Sequence, residues 1–88
     1  MAHAKPDDLK DLKQLLAELR SNKTMKEKSF GCFYLKGKGV LHFHMKKDRR
    51  YAHIYNGKEW IELDISSGPS IAAQKTIAKK ILNQLPLS

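Results

Sequence analysis

The stretch that decides the fold runs from residue 30 to residue 65 and reads FGCFYLKGKGVLHFHMKKDRRYAHIYNGKEWIELDI. Read in twos, it has one apolar side, which comprises Phe33, Leu35, Leu41, Phe43, Met45, Ala52, Ile54, Ile61, Leu63 and Ile65. The other side carries Phe30, Cys32, Tyr34, His42, His44, Tyr51, His53, Tyr55, Trp60, Glu62 and Asp64. This alternation, interrupted by short polar tips, predicts an antiparallel sheet with one apolar face.

Three polar tips divide this stretch into four predicted strands, at about 29–36, 40–46, 51–55 and 59–65. The first tip is Gly37-Lys38-Gly39, in which Gly39 can supply the positive φ of a three-residue hairpin. The second is a four-residue turn at 47–50, and the third is the type I′ signal Asn56-Gly57. These tips place apolar side chains opposite one another, with Phe33 beside Phe43 and Phe43 beside Ile54. The sequence therefore predicts a four-stranded meander.

An amphipathic helix is predicted on each side of the meander. The first begins at Pro6-Asp7-Asp8, because proline and acidic residues suit a first turn. Its apolar stripe is Leu9, Leu12, Leu15, Leu16 and Leu19. The last helix follows Ser70 as a candidate N-cap and ends at Pro86, and its stripe is Ile71, Ala78, Ile81, Leu82 and Leu85. We expect residues 1–5 to be disordered and residues 6–86 to form one α+β domain, α-β-β-β-β-α, with both helices on one sheet face.

Length and composition narrow the class of protein. The 88 residues suffice for one small domain, and no apolar run approaches the roughly 18 residues of a membrane span. One cysteine precludes an internal disulfide framework, and the first residues lack the apolar segment of a secretory signal, so a cytoplasmic location is predicted. The net charge of +8 favours an anionic partner such as nucleic acid, although a lysine-rich solvated surface is the alternative.

The polar sheet side carries residues that could hold a metal ion. The predicted tips place Cys32 opposite His44 and His44 opposite His53, with His42 two residues away on the same side. His53 would lie beside Trp60 if Asn56-Gly57 is a two-residue turn, and beside Glu62 if the tip is longer. Thiolate and imidazole suit zinc, and Glu62 is a candidate further ligand. The alternative is that a helix or a subunit partner covers these residues.

Aromatic and basic residues support a second interpretation. Tyr34, Tyr51, Tyr55 and Trp60 on one sheet side are typical of platforms on which bases of single-stranded nucleic acid stack. The meander is expected to bring cations together at one end, near the free amides from Gly68 and Ser70 onward. They are Lys23, Lys26, Lys28, Lys46, Lys47, Arg49 and Arg50. Mobile loop lysines that bind nothing are the alternative.

Two resemblances accompany these patterns. The run from Phe33 to His44, with its Leu-His-Phe-His segment, resembles a strand motif of small bacterial proteins without assigned function, which implies the fold and no activity. The helix–strands–helix order is also similar to double-stranded RNA-binding domains. At 71–75, however, Ile-Ala-Ala-Gln-Lys replaces most of their lysine cluster, so their phosphate contacts are not carried over.

The sequence favours binding over catalysis, because no nucleophile elbow or group that would orient a Cys–His pair is recognisable. The expected function is a small non-enzymatic binding module for an anionic partner such as nucleic acid, without a cofactor. The alternatives are a zinc-binding protein that uses the Cys/His side of the sheet, and a protein-interaction module that forms a homodimer through it.

Overall fold

An antiparallel sheet is the centre of the fold, which a computed structural model describes for residues 2–66 and 70–86. Five strands lie side by side in chain order, and a short sixth strand pairs with the central one. The strands are β1 (Ala2–His3), β2 (Lys26–Ser29), β3 (Cys32–Leu35), β4 (Lys38–Lys46), β5 (Arg49–Tyr55) and β6 (Trp60–Asp64). The helices are a 3-10 helix at Pro6–Leu9, α1 (Lys13–Arg20) and α2 (Ile71–Gln84). The predicted α+β class with an antiparallel sheet and two helices is confirmed.

The predicted first strand at 29–36 begins too early, because the chain reverses at Phe30-Gly31 and the strand of that range is β3, Cys32–Leu35. β2 and β3 form a hairpin of their own, with Ser29 paired to Cys32 across a tip at Phe30-Gly31. Gly31 supplies the positive φ of 71° that the tip requires, and the carboxylate of Glu27 accepts a hydrogen bond from its amide at 2.8 Å. The sheet consequently has one more meander strand than predicted.

The first two predicted tips are also wrong. Both turns contain two residues with positive φ, Lys36-Gly37 and Lys47-Asp48, as expected for type I′ geometry. The pairs that close them are Leu35 with Lys38 and Lys46 with Arg49. These tighter turns match the right-handed twist of the strands better than the longer tips predicted.

The shorter turns change the register in different ways in the two hairpins. Between β3 and β4 a bulge at Val40 restores the alternation, so that Phe33 lies opposite Leu41 rather than Phe43. Between β4 and β5 the pairing is displaced by two residues, and Phe43 lies opposite Ala52 instead of Ile54. A displacement by two leaves every side chain on its predicted face.

The third tip is the longer of the two alternatives. Tyr55 pairs with Trp60 across a four-residue loop, and His53 therefore lies opposite Glu62. The Asn56 side-chain oxygen accepts hydrogen bonds from the amides of Lys58 and Glu59, each at 2.8 Å. Asparagine stabilises the loop through this contact with its own following backbone.

The chain also pairs at its beginning, where disorder was predicted. Ala2 lies opposite Met45 and His3 opposite His44, and the amide of Ala4 donates to the carbonyl of Phe43 at 3.0 Å. Ala4 is buried in the core. These contacts add β1 to the edge of β4 that the short strand β3 leaves unpaired.

One core lies between the helices and the apolar face of the sheet. The leucines of the 3-10 helix and α1 share it with Phe33, Leu41, Phe43, Ala52 and Ile54, all nearly inaccessible to solvent. Leu9 and Leu15 belong to separate helical segments, because the single helix predicted from Pro6 onward is interrupted between them. In the described part of the chain no helix lies on the opposite sheet face, which we call the open face. None of the helices in the described residues has the length and apolar composition needed to cross a membrane.

Candidate metal centre

Three side chains on adjacent strands meet in the middle of the open face. His44 comes from β4, His53 from β5 and Glu62 from β6. Nε2 of His44 lies 2.7 Å from Nε2 of His53, which lies 3.0 Å from Oε2 of Glu62. The third side of this triangle, from Nε2 of His44 to Oε2 of Glu62, is 3.5 Å. Three potential ligand atoms therefore converge on one point. We call these residues the His–His–Glu cluster.

The register explains why these side chains converge. His53 is directly opposite Glu62, so their side chains leave the sheet side by side. His44 pairs with Tyr51 and reaches His53 along the diagonal, where a long aromatic side chain can still make contact. The ring of Tyr51 stacks on His44 at 5.6 Å with an interplanar angle of 28°. This stacking supports the orientation of His44.

Solvent reaches the cluster from one side only. The side chain of His44 is 4% exposed, whereas those of His53 and Glu62 are 21% and 38% exposed. Burial, the neighbouring His53 and Lys46 lower the pKa of His44, and only Glu62 opposes them. The hydrogen bond with His53 lowers the pKa of Glu62. The ground state is therefore a neutral imidazole beside an ionised carboxylate.

His42 contacts the cluster through the ring of His53. Its Nε2 lies 3.2 Å from Nδ1 of His53, the ring nitrogen that points away from Glu62. Its ring also lies 5.1 Å from the ring of Trp60. An Nδ1–H donated to His42 leaves the Nε2 lone pair of His53 directed at the cluster. The predicted residue His42 is thus a neighbour of the candidate ligands rather than one of them.

Cys32 is not brought to the cluster. The predicted row of Cys32, His44 and His53 assumed longer tips, and the tighter turns displace both hairpin registers. In the structure Cys32 pairs with Ser29 on β2, and it belongs to no group of candidate metal ligands in the described residues. The prediction of a row through Cys32 is wrong, and Glu62, proposed from sequence as a further ligand, takes its place.

The cations predicted to share one end of the sheet are divided between both ends. Because β2 and β3 form an extra hairpin, Lys26 begins β2 at the end opposite the Lys47-Asp48 turn. Arg49 forms an ion pair with Asp64, and Arg50 forms one with Asp11. Ser70 caps α2 by accepting a hydrogen bond from the amide of Ala73, while Gly68 lies outside the described residues.

The predicted aromatic platform is present as several separate contacts. Tyr51 lies against His44, and the rings of Tyr55 and Trp60 are 5.5 Å apart. Trp60 is 47% exposed. Lys28 and Lys46 place their ammonium groups 4.8 and 5.9 Å from the ring centroids of Tyr34 and Tyr51. Two lysines at the turn between β3 and β4 were missed as candidate site residues: Lys36, in the turn itself, and Lys38, whose ammonium group lies 4.1 Å from the ring centroid of Tyr55.

No family model, curated protein or solved structure matches this chain. The resemblance to small bacterial proteins of unassigned function therefore stays a prediction. The predicted homodimer and cytoplasmic location are likewise not tested by a single chain and stay predictions.

Proposed function

We propose that this protein binds a divalent transition-metal ion, zinc being the ion expected, through the His–His–Glu cluster on its open face. The observation that carries the proposal is the convergence of Nε2 of His44, Nε2 of His53 and Oε2 of Glu62 within 3.5 Å. Two imidazoles and one carboxylate form a donor set that zinc sites with an open position use.

The distances within the cluster fit a single ion. A triangle with sides of 2.7, 3.0 and 3.5 Å has all three corners about 1.8 Å from one central point. An ion about 1 Å above that plane would be about 2.0–2.1 Å from each atom, which is the usual zinc–nitrogen and zinc–oxygen distance. The two imidazole nitrogens would separate slightly on binding, because tetrahedral ligands lie about 3.3 Å apart.

The protons of the cluster also favour an ion. In the tautomer of His53 whose Nδ1–H is donated to His42, the hydrogen bond from His53 to Glu62 is absent, and the Nε2 lone pair of His53 and the carboxylate of Glu62 face each other at 3.0 Å. Only a proton, such as one on Nε2 of His44, then relieves the repulsion between these acceptors. A cation bound at the same point would satisfy all three atoms, and the proton of His44 would then lie on its Nδ1, a buried atom without a hydrogen-bond partner among the described residues. The lowered pKa of His44 helps, because metal ions bind the neutral imidazole.

The exposure of the cluster indicates what such an ion could contact. Three protein ligands leave one position of a tetrahedral ion free, and it would lie on the side of His53 and Glu62, the exposed members. His42 would act as the outer partner that orients His53, as such hydrogen-bonded groups do in metal sites. The ion would therefore remain accessible to water or to a small anionic ligand.

Zinc titration of chelator-treated protein by isothermal calorimetry tests the proposal. We expect one zinc ion per chain, and we expect Glu62→Gln to weaken binding more than about a hundredfold, since even outer-sphere partners change metal affinity about 10–100-fold. Glu59→Gln removes the same charge from the neighbouring loop and is the matched control. Cys32→Ser should bind like the unaltered protein. Equal affinities for Glu62→Gln and Glu59→Gln would contradict the proposal.

A further inference from the structure

A second polar site lies on the open face where β2, β3 and the turn between β3 and β4 meet. It is a surface cavity of about 310 Å³ lined by Thr24, Lys26, Lys28, Tyr34, Lys36 and Gly37. Three of these six residues are lysines, and none is acidic. All three lysines are exposed, so their side chains are accessible to a ligand at the surface. We call this cavity the lysine pocket.

The aromatic ring of Tyr34 forms one wall of the lysine pocket. The ring lies beside Gly39, and a Cβ at that position would be 3.6 Å from the nearest ring carbon, an ordinary van der Waals contact. The ammonium group of Lys28 lies over the ring, 4.8 Å from its centroid. The face of the Tyr34 ring is therefore directed at a cation.

The folding of the first hairpins brings the lysines together from separate segments. Lys26 is directly opposite Tyr34 across β2 and β3, and Lys36 belongs to the two-residue turn that follows β3. Glu27, the nearest acid in sequence, is engaged by Arg20 and by the amide of Gly31. Positive charge in the pocket is therefore not neutralised by that carboxylate.

From this arrangement we infer that the lysine pocket binds a nucleotide unit of single-stranded nucleic acid. Lys26 and Lys36 would contact phosphates, and a base would stack on Tyr34 in place of the Lys28 ammonium, which becomes available to a phosphate. The combination of a cationic groove and an aromatic face is the general means by which proteins hold single strands. This inference is independent of the metal site, and zinc has no part in it.

The test is fluorescence anisotropy with a labelled 12-nucleotide oligouridylate in buffer containing a chelator, at 50 and 200 mM salt. For Lys26→Gln/Lys36→Gln we expect the affinity at 50 mM salt to fall about eightfold for each phosphate that no longer meets a lysine. The slope of log affinity against log salt should fall by about 0.7 per lysine. The matched control is Lys79→Gln/Lys80→Gln, which removes the same charge from exposed positions on α2.

Substitutions of Tyr34 test the stacking. Tyr34→Phe should bind like the unaltered protein, whereas Tyr34→Ala should bind about 5–150-fold more weakly, which is the range measured for one stacked base. The circular dichroism spectrum of each variant should match that of the unaltered protein, so that a loss of affinity is not caused by unfolding. The inference is overturned if no oligouridylate binds at 50 mM salt, or if the α2 control loses as much affinity as the pocket variant. Uridine monophosphate that binds more tightly than the oligouridylate would overturn the assignment to a strand.

Discussion

Gln74 joins the two helices at the point where the first helical segment is interrupted. Its Oε1 accepts a hydrogen bond from the amide of Leu15 at 2.8 Å, and its Nε2 donates to the carbonyl of Asp11 at 3.0 Å. In a continuous helix these two backbone groups would bond to each other. The side-chain amide of Gln74 therefore bridges the amide of Leu15 and the carbonyl of Asp11, which form no direct helical hydrogen bond. It also accepts a hydrogen bond near the start of α1, where the N-cap residue Leu12 has no side-chain acceptor.

The substitution Gln74→Ala should be strongly destabilising. Gln74 is only 3% exposed, so its loss would deprive the Leu15 amide and the Asp11 carbonyl of their partner where water does not readily replace it. The buried Leu15 amide left unpaired costs about 1–3 kcal/mol, and the partly buried carbonyl of the exposed Asp11 adds less, which gives about 1–4 kcal/mol together. A chain of 88 residues has a total stability of about 4–13 kcal/mol. The variant should thus lose a large part of its free energy of unfolding.

Urea unfolding followed by far-ultraviolet circular dichroism measures this loss. At a slope of about 1 kcal/mol per molar urea, the midpoint should fall by at least about 1 M. Thr76→Ala, at an exposed position of the same helix, should change stability by less than about 0.5 kcal/mol. A decrease of less than about 1 kcal/mol in Gln74→Ala, below the range for one unpaired group, would refute the reasoning. That result would mean that the Leu15 amide and the Asp11 carbonyl form replacement hydrogen bonds, with each other or with water, at little cost in free energy.

Two pH effects should accompany these changes. The lowered pKa of His44 makes metal-free protein most stable above about pH 6.5, and stability should fall below that value because the unfolded chain takes up the proton first. His44→Phe keeps an aromatic ring beside Tyr51 but cannot take up a proton. Its thermal midpoint should therefore depend less on pH between about pH 7 and 5 than that of the unaltered protein, and an equal pH dependence would contradict this. The amide of Ser66 and the guanidinium of Arg49 lower the pKa of Asp64 to about 2. The stability that this carboxylate provides is therefore present above about pH 4 and lost between about pH 4 and 2, so thermal midpoints of Asp64→Asn and unaltered protein should converge over that interval.

The faces of the sheet were predictable from sequence, but the pairing was not. Alternation assigns Phe43 and His44 to opposite faces whatever the tip length, and a displacement of two residues preserves that assignment. Tip length depends on which residues accept positive φ, and here Lys36, Lys47 and Asp48 do so without being glycine. Single-residue turn preferences are too weak to decide this in advance.

The residue types of the candidate metal site were predictable from sequence, but which individual residues come together was not. Glu62 replaces Cys32 beside the histidines because the first two tips are tighter than predicted, while the third is the longer of its two alternatives. Gln74 was missed although it lies one turn before Ala78 on the buried side of α2, and Ile71, which was predicted to belong to that side, is instead 62% exposed. A polar residue in such a stripe indicates a buried hydrogen-bonding role, and its partners lie far away in sequence, before the sheet.

X-ray absorption spectroscopy of the protein loaded with one equivalent of zinc tests the metal centre most directly. We expect nitrogen and oxygen ligands at about 2.0–2.1 Å with the scattering pattern of two imidazoles, and no sulfur at about 2.3 Å. The spectrum of Cys32→Ser should be the same as that of the unaltered protein. A sulfur ligand, or a zinc ion coordinated by water without imidazole, would contradict the assignment to His44, His53 and Glu62.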